Sequence, residues 1–475
     1  MNKRPIIHHT NLKKVRSIEI QSSIFRAYDI RGRYQKEIDQ TVFYQIGRAT
    51  GTYLINELKG RVLTVGNDIR KTSESLSAAF IAGVTSTGVN VVDTGTCSFG
   101  QTLFHGWNKS HDLISFITAS HLPAEWNGVK FYYGDGVGLP EEELMRIRDL
   151  TLSGNAIAAD WRESGSIQKV DPRKNYQDFF TAHFRYEKPL RVAVDCGGGS
   201  MTLSAVSVLE SLGITVVPVF CDPDPLFSVR PSDPKPENLD VLVNKVKTEG
   251  CDFGVAFDGD GDRSVIVDEI GNILSADKTG ILIGKYGLNN QKGTIIANVE
   301  CSKAVEEQLR PLGFRIKHIQ VGHTFLTLHA KKEQAPLGIE SSGHLIIPKY
   351  FLFDDALIVP LKIAEILDHR SESLSVLQKE IPMYPRKKVE IQCADAEKFK
   401  VIERLKTKFT SQYEEVNTLD GVRVDLDQGW VLIRASNTSP VIRLTVEADS
   451  KDQIDELTNK FMVETQEAMS NISPG

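Results

Sequence analysis

Short β-branched runs alternating with amphipathic stretches limit this chain to very few folds. From Arg61 onward, Val62 to Val65, Val89 to Asp93 and Leu113 to Thr118 read as strands, with Glu74 to Thr87 as a helix between the first two. That alternation predicts βαβ units with parallel strands. The pattern restarts at Leu190 to Asp195, with a helix near Thr202 to Leu212 and a strand from Ile214 to Phe220, and again at Gly293 to Asn298, with a helix near Lys303 to Leu312. After Pro385 the order changes. Lys388 to Gln392 is followed by a helical Ala394 to Phe409, then by three close strands, Val422 to Leu426, Trp430 to Arg434 and Val441 to Glu447, and by a last helix from about Asp452. Strands in direct succession predict an antiparallel sheet with helices on one face. The expectation is an α/β protein of three tandem α/β modules followed by an α+β domain. At 475 residues the chain is in any case too long for one core. The boundaries fall at a leader 1–22 and at modules 23–172, 173–274, 275–382 and 383–475. Proline-rich Asp222 to Pro236 reads as a long loop and Ile381 to Pro385 as a linker.

Between two apolar runs, Asp252 to Asp268 places Asp258, Asp260 and Asp262 at alternate positions, separated by Gly259 and Gly261 and followed by Arg263. Three carboxylates converge only if the backbone curls tightly, which the glycines permit. Hard oxygen ligands suit Mg²⁺ or Ca²⁺. An EF-hand would require glycine where Arg263 stands and helices where the flanks are β-like, which argues against calcium sensing. An arginine beside three carboxylates instead suits a phosphate shared between metal and guanidinium.

Net charge is only −6, which gives no global basic field for nucleic acid. The expected partners are small molecules. Six scattered cysteines without Cys-x-x-Cys spacing argue against a disulfide framework or zinc site and fit a reducing cytoplasm. Met1 to Gln21 is polar and basic without a signal-peptide core, and no run of 18 apolar residues predicts a membrane span.

Leu113 to Phe131 reads as a buried strand opening into a loop at Ser120, a place where α/β sheets bind ligands. A Ser hydrolase lacks support, because no Gly-x-Ser-x-Gly elbow is present and His121, as immediate neighbour, is not assured of reaching Ser120 as base. Taken with the metal loop, Ser120 becomes a candidate phosphoserine, whose charge a cation would balance. Arg26 and Arg31, in a mostly apolar segment ending at Gly32, are either edge-strand charges or the lining of an anionic pocket. Gly197-Gly198-Gly199 matches neither dinucleotide nor Walker spacing and reads as a packing turn. Glu340, Ser342 and His344 alternate, so in extended chain they share one face and could point at a ligand, or else they belong to a hydrated loop. Arg434, Ser436, Asn437 and Thr438 form a dense donor set for a phosphate, or else a polar hairpin turn.

On four separated motifs the chain resembles the α-D-phosphohexomutase family, in particular its phosphomannomutase/phosphoglucomutase branch. Thr118-Ala-Ser-His-Leu-Pro123 with Asn127-Gly-Val-Lys130 is similar to the phosphoserine loop, and Asp258-Gly-Asp-Gly-Asp-Arg263 to the magnesium loop. Gly338-Ile-Glu-Ser-Ser-Gly-His344 resembles the sugar-recognition loop and Arg434-Ala-Ser-Asn-Thr-Ser-Pro440 the phosphate-binding loop, with Phe25 to Gly32 also matching. The resemblance implies mixed sheets around a central cleft. It implies one Mg²⁺ on Ser120, Asp258, Asp260 and Asp262, with Ser120, Lys130, His344 and Arg263 catalytic. Substrate would be bound by Tyr28, Arg31, His121, His323, Glu340, Ser342, Arg434, Ser436, Asn437 and Thr438. The implied reaction interconverts hexose 6-phosphate and hexose 1-phosphate through phosphoserine and a hexose 1,6-bisphosphate, in a cytoplasmic monomer or homodimer. Phosphoglucosamine mutase and a non-catalytic sugar-phosphate binder are the alternatives. The chain departs from the branch at Asn67, Leu122, Arg230 and Ala356, and above all at Glu300, which stands in place of a substrate-contacting lysine.

Overall fold

The structure is a computed structural model and describes residues 19–289, 291–436 and 440–470. Of the leader, residues 1–18 lie outside the described residues. Four sheets are present. The first has six strands in the order Asp29–Arg33, Trp126–Tyr133, Leu113–Ile117, Val62–Asn67, Asn90–Thr96, Ile167–Lys169. Its central pairs are parallel, and the two strands at the Asp29 end run antiparallel. The expected α/β pattern is thus present as a mixed sheet. The segment read as one strand turning at Gly32 instead begins with a short 3₁₀ turn, Ser22–Ile24, and Gly32 lies within the strand, paired with Asn127.

The second sheet orders Ser264–Asp268, Phe253–Phe257, Arg191–Asp195, Thr215–Val219, and the third Arg315–Ile319, Thr294–Asn298, Gly338–Ile339, Leu345–Ile346. In both, parallel pairing in the centre gives way to one antiparallel edge pair. The fourth is antiparallel with five strands, Arg386–Gln392, Val441–Ala448, Gly429–Ala435, Val422–Leu426 and Val416–Asn417. The helices Asp395–Gln412 and Lys451–Ser470 pack with it, and Phe409 and Phe461 meet edge to face. Gly197 and Gly198 adopt φ of +55° and +66° in a tight turn, with the amide of Ser200 donating to Gly259 O, so this glycine run braces the acidic loop.

One apolar cluster runs through the first three sheets, from Phe99 and Phe116 through Tyr176, Phe180 and Phe257 to Ile339 and Phe351. The fourth sheet has its own core around Val401, Leu405, Phe409 and Leu444. Among the described residues a small cluster, Val299, Trp430 and Leu432, joins the two. The rest of that seam is polar: Arg423 Nη1 donates to Val299 O at 2.7 Å, and Lys303 Nζ pairs with Asp449 at 2.6 Å. A chain ending before Pro385 should therefore keep a cooperative thermal transition while losing most affinity for the hexose phosphate that the resemblance implies. A melting curve and a calorimetric titration check this, and loss of the transition would show that the fourth sheet is part of the common core.

All six cysteines are free. Among the described residues no helix is long and apolar enough to cross a membrane.

Candidate active site

The strand Phe253–Phe257 ends in the acidic loop and returns as Ser264–Asp268. Asp258 organises the loop from within: its Oδ1 accepts the backbone N–H of Gly261, Asp262 and Arg263 at 3.1 to 3.2 Å. Gly261, at φ +88°, makes the curl possible. The carboxylates of Asp258, Asp260 and Asp262 are all buried and come within 4.8 Å of one another. Asp260 Oδ1 and Asp262 Oδ1 are buried without a hydrogen-bond partner among the described residues. Buried carboxylate oxygens left unpaired are costly, and a hard divalent cation is what this all-oxygen set fits. Asp262, His344 and Asp354 also approach one another. There, however, His344 Nδ1 is hydrogen-bonded to Asp354 Oδ2 at 2.5 Å, so the histidine nitrogen facing this group is already engaged.

Ser120 stands over the loop. Its Oγ lies 3.2 Å from Asp258 Oδ2, and its backbone holds φ +52°, a left-handed conformation uncommon for a residue with a side chain. Neighbours over-determine it. Arg70, itself paired with Asp68 at 2.9 Å, sends Nη2 to Ser120 O and Leu122 O and Nη1 to Pro123 O, each at 2.7 Å. From the second module Ser232 Oγ donates to His121 O at 2.6 Å. Thr118 Oγ1 accepts the Ser120 N–H at 2.8 Å and donates to Asp68 Oδ2 at 2.7 Å, with Asp260 Oδ2 3.1 Å away. Because position 122 is held by its carbonyl, leucine there leaves the clamp intact.

Cations surround the carboxylates. Lys130 Nζ bridges Asp260, at 2.9 Å, and Asp262. Arg263 Nε donates to Asp258 Oδ2 at 3.1 Å. Burial opposes the charge on Lys130 and Arg263, but the neighbouring carboxylates outweigh it and raise both pKa values. His344 behaves likewise: burial is overcome by Asp262 and Asp354, and its pKa rises to about 9. His121 moves the other way, pushed down first by Arg263 and then by burial, and His323 is pushed down by burial and Lys130. The reach of His121, which the sequence left open, is a contact of 3.3 Å from its Nδ1 to Ser120 Oγ.

A cavity of about 420 Å³ opens over this cluster, and Tyr28, Arg31, Ser120, His121, Lys130, Arg263, His323, Glu340, Ser342 and His344 all line it. Arg26 lines it too, so both arginines of the first strand segment face this cavity rather than an open edge. Glu340, Ser342 and His344 do not share a face of extended chain. They belong to a tight turn in which Glu340 N donates to His344 O and Gly343 N to Glu340 O, and the turn itself brings the three side chains to the cavity. Ser342 Oγ donates to Glu340 Oε1 at 2.7 Å.

The fourth sheet contributes differently from expectation. Arg443 lines the cavity, whereas Arg434, its cross-strand partner, and Ser436 are buried and are not among the lining residues. Asn437 and Thr438 lie outside the described residues. Arg443 was not legible because it sits mid-strand in Val441–Ala448, where a polar side chain reads as ordinary alternation. Arg70 and Asp354 were likewise missed, since one acts on the site through backbone carbonyls and the other through His344, contacts that no sequence spacing encodes.

Four family descriptions match consecutive parts of the chain: phosphoglucomutase/phosphomannomutase alpha/beta/alpha domains I, II and III at residues 22–157, 174–271 and 275–384, and the C-terminal domain at 389–463. A protein of Pseudomonas putida named "Phosphomannomutase/phosphoglucomutase" is 33% identical over 452 residues, 93% of this chain and 95% of that one. A "Probable phosphoglucosamine mutase" of Methanopyrus kandleri is 32% identical over 441 residues, 92% and 96% of the two chains. A crystal structure of a phosphoglucomutase/phosphomannomutase family protein from Burkholderia thailandensis superposes with a TM-score of 0.87 at 28% identity, covering 96% of this chain and 99% of that one.

Proposed function

The chain belongs to the phosphoglucomutase/phosphomannomutase family, and on that premise we propose how its own residues carry out the mutase reaction on a hexose phosphate. The enzyme is an isomerase that interconverts hexose 6-phosphate and hexose 1-phosphate. The observation that carries the reading is Ser120: a buried hydroxyl in a clamped left-handed turn, 3.2 Å from a carboxylate of the acidic loop and open to a cavity rimmed by cations.

Phosphoserine 120 would donate its phosphoryl group to the free hydroxyl of the sugar. An O–P bond to the sugar forms as the Ser120 Oγ–P bond breaks, giving a hexose 1,6-bisphosphate. After reorientation, the other phosphoryl returns to Ser120. Each transfer takes one proton from the attacking hydroxyl and gives one to the leaving oxygen. Lys130 and His344 are the proposed carriers, and His344, with Nδ1 committed to Asp354, would act through Nε2. Asp258, Asp260, Asp262 and the oxygen on Ser120 would hold one Mg²⁺, which when bound offsets charge on the transferring phosphoryl group. Arg263 adds a guanidinium on the same side. Glu340 and Ser342 would bind sugar hydroxyls, with Tyr28, Arg31, His121 and His323 completing the wall. The four domains, 23–172, 173–274, 275–382 and 383–475, would each supply one loop. A cytoplasmic monomer or homodimer is part of the same reading.

Arg434, Ser436, Asn437 and Thr438 would hold the phosphate that is not being transferred. That remote grip positions the reacting hydroxyl, so Arg434→Ala should lower kcat/KM by about 10²-fold, affecting kcat as well as KM. Steady-state kinetics decide this, and a change of less than about twofold would reduce the loop to a polar turn.

The sugar is tested by assaying mannose 1-phosphate, glucose 1-phosphate and glucosamine 1-phosphate side by side. Mannose or glucose is the expected preference. Preference for glucosamine 1-phosphate would favour the second reading, which the Methanopyrus kandleri relative supports equally in identity and coverage. A phosphoryl group on the isolated protein, read by intact mass, separates either enzyme from a non-catalytic binder.

A further inference from the structure

Glu300 reverses the charge expected at its position, and the mutase reading leaves it without a task. It follows the strand Thr294–Asn298 of the third sheet, and its N–H is fixed to Asn298 Oδ1 at 3.2 Å. The side chain is buried, and both carboxylate oxygens reach across the seam to the fourth sheet. Oε1 accepts Arg434 Nε at 3.0 Å and Oε2 accepts Lys388 Nζ at 2.9 Å. Burial disfavours its charge, but Lys388 and Arg434 outweigh that and bring its pKa down to about 2. Arg434 meets a second carboxylate, with Nη1 3.5 Å from Asp420 Oδ2. Asp420 in turn accepts the N–H of Val321 at 3.2 Å, and the next residue, Gly322, donates its N–H to Glu340 Oε2 at 3.0 Å.

Two carboxylates on adjacent guanidinium nitrogens set the plane of Arg434 before any ligand arrives. An arginine side chain carries about 2 kcal/mol of rotamer entropy, so one already held in place binds phosphate at lower cost. A carboxylate beside a phosphate-binding arginine would ordinarily weaken the field at the phosphate. Here Lys388 offsets that charge. Glu300 is not among the residues lining the cavity, and each of its oxygens is engaged by a cation of the fourth sheet.

We propose that Glu300 is a positioning residue, which holds the Arg434 guanidinium in the orientation that receives the stationary phosphate and does not itself read the sugar. The inference rests on the assignment of Arg434 to that phosphate in the mutase reading.

The test is calorimetric binding of glucose 1-phosphate and mannose 1-phosphate in a Ser120→Ala background, where turnover does not interfere. Glu300→Ala should raise Kd about tenfold for both sugars alike, equivalent to ~1.4 kcal/mol. Glu300→Gln, whose amide oxygen still accepts from Arg434 Nε, should stay within about threefold of the parent. In an Arg434→Ala background Glu300→Ala should cost nothing further, a result that a merely structural role would not produce. Unchanged or tighter binding by Glu300→Ala would overturn the proposal, as would no rescue by glutamine, a further loss in the double variant or a sugar-dependent effect. Failure of the Ser120→Ala parent to bind either hexose phosphate would instead sink the mutase reading, and this inference with it.

Discussion

Ser120→Ala should abolish turnover, with kcat reduced by at least about 10³-fold, because removing the attacked and attacking oxygen leaves no covalent route for the phosphoryl group. The fold should survive. Alanine fits the same left-handed backbone no worse than serine, and the clamp on residues 120–123 from Arg70 runs through carbonyls that the substitution keeps. Melting temperature should therefore shift by only a few degrees, consistent with the loss of the two hydrogen bonds of Ser120 Oγ, about 1 kcal/mol each. Phosphopeptide mapping of the parent should place the modification on Ser120. Phosphate found reproducibly elsewhere, with the alanine variant still active, would remove Ser120 from the mechanism.

Chelation should be nearly as damaging. Asp258, Asp260 and Asp262 bring three buried negative charges against the two positive charges of Lys130 and Arg263, and a phosphoryl group on Ser120 would add more on the same side. Without a divalent cation that excess opposes the approach of a second anion, the substrate. Activity should fall by at least about 10²-fold after exhaustive chelation and return with Mg²⁺, whose octahedral oxygen preference suits carboxylates and a phosphoryl oxygen. Full activity after chelation would show that Lys130 and Arg263 suffice.

The parts of the site that were legible are those whose geometry is local. Asp258 to Arg263 form their loop within six residues, and the loop is tied by Asp258 to its own following amides, so the residue types already contain the turn. The loop at Ser120 was legible for a similar reason, as a polar break at the end of a wholly buried strand. The strands and helices were readable from periodicity because burial on one face or two leaves its repeat in the sequence. The short pairing of Gly338–Ile339 with Leu345–Ile346 leaves too little repeat to separate extended chain from loop at Glu340 to His344, which form the turn between those strands.

What the chain determined by itself is the inventory of chemistry: a carboxylate loop for a cation, a serine at a strand end, and arginines enough for phosphate. Which groups meet was decided by packing between modules. Lys130 reaches Asp260 across 130 residues, and Glu300 reaches Arg434 across 134, one giving the acidic loop a counter-ion and the other giving a reversed charge a partner. Arg443 faces the cavity while its neighbour Arg434 is held behind by Glu300 and Asp420. No local spacing encodes such pairs, because a buried charge takes its partner from whichever surface closes over it, and that surface exists only once separate sheets have docked.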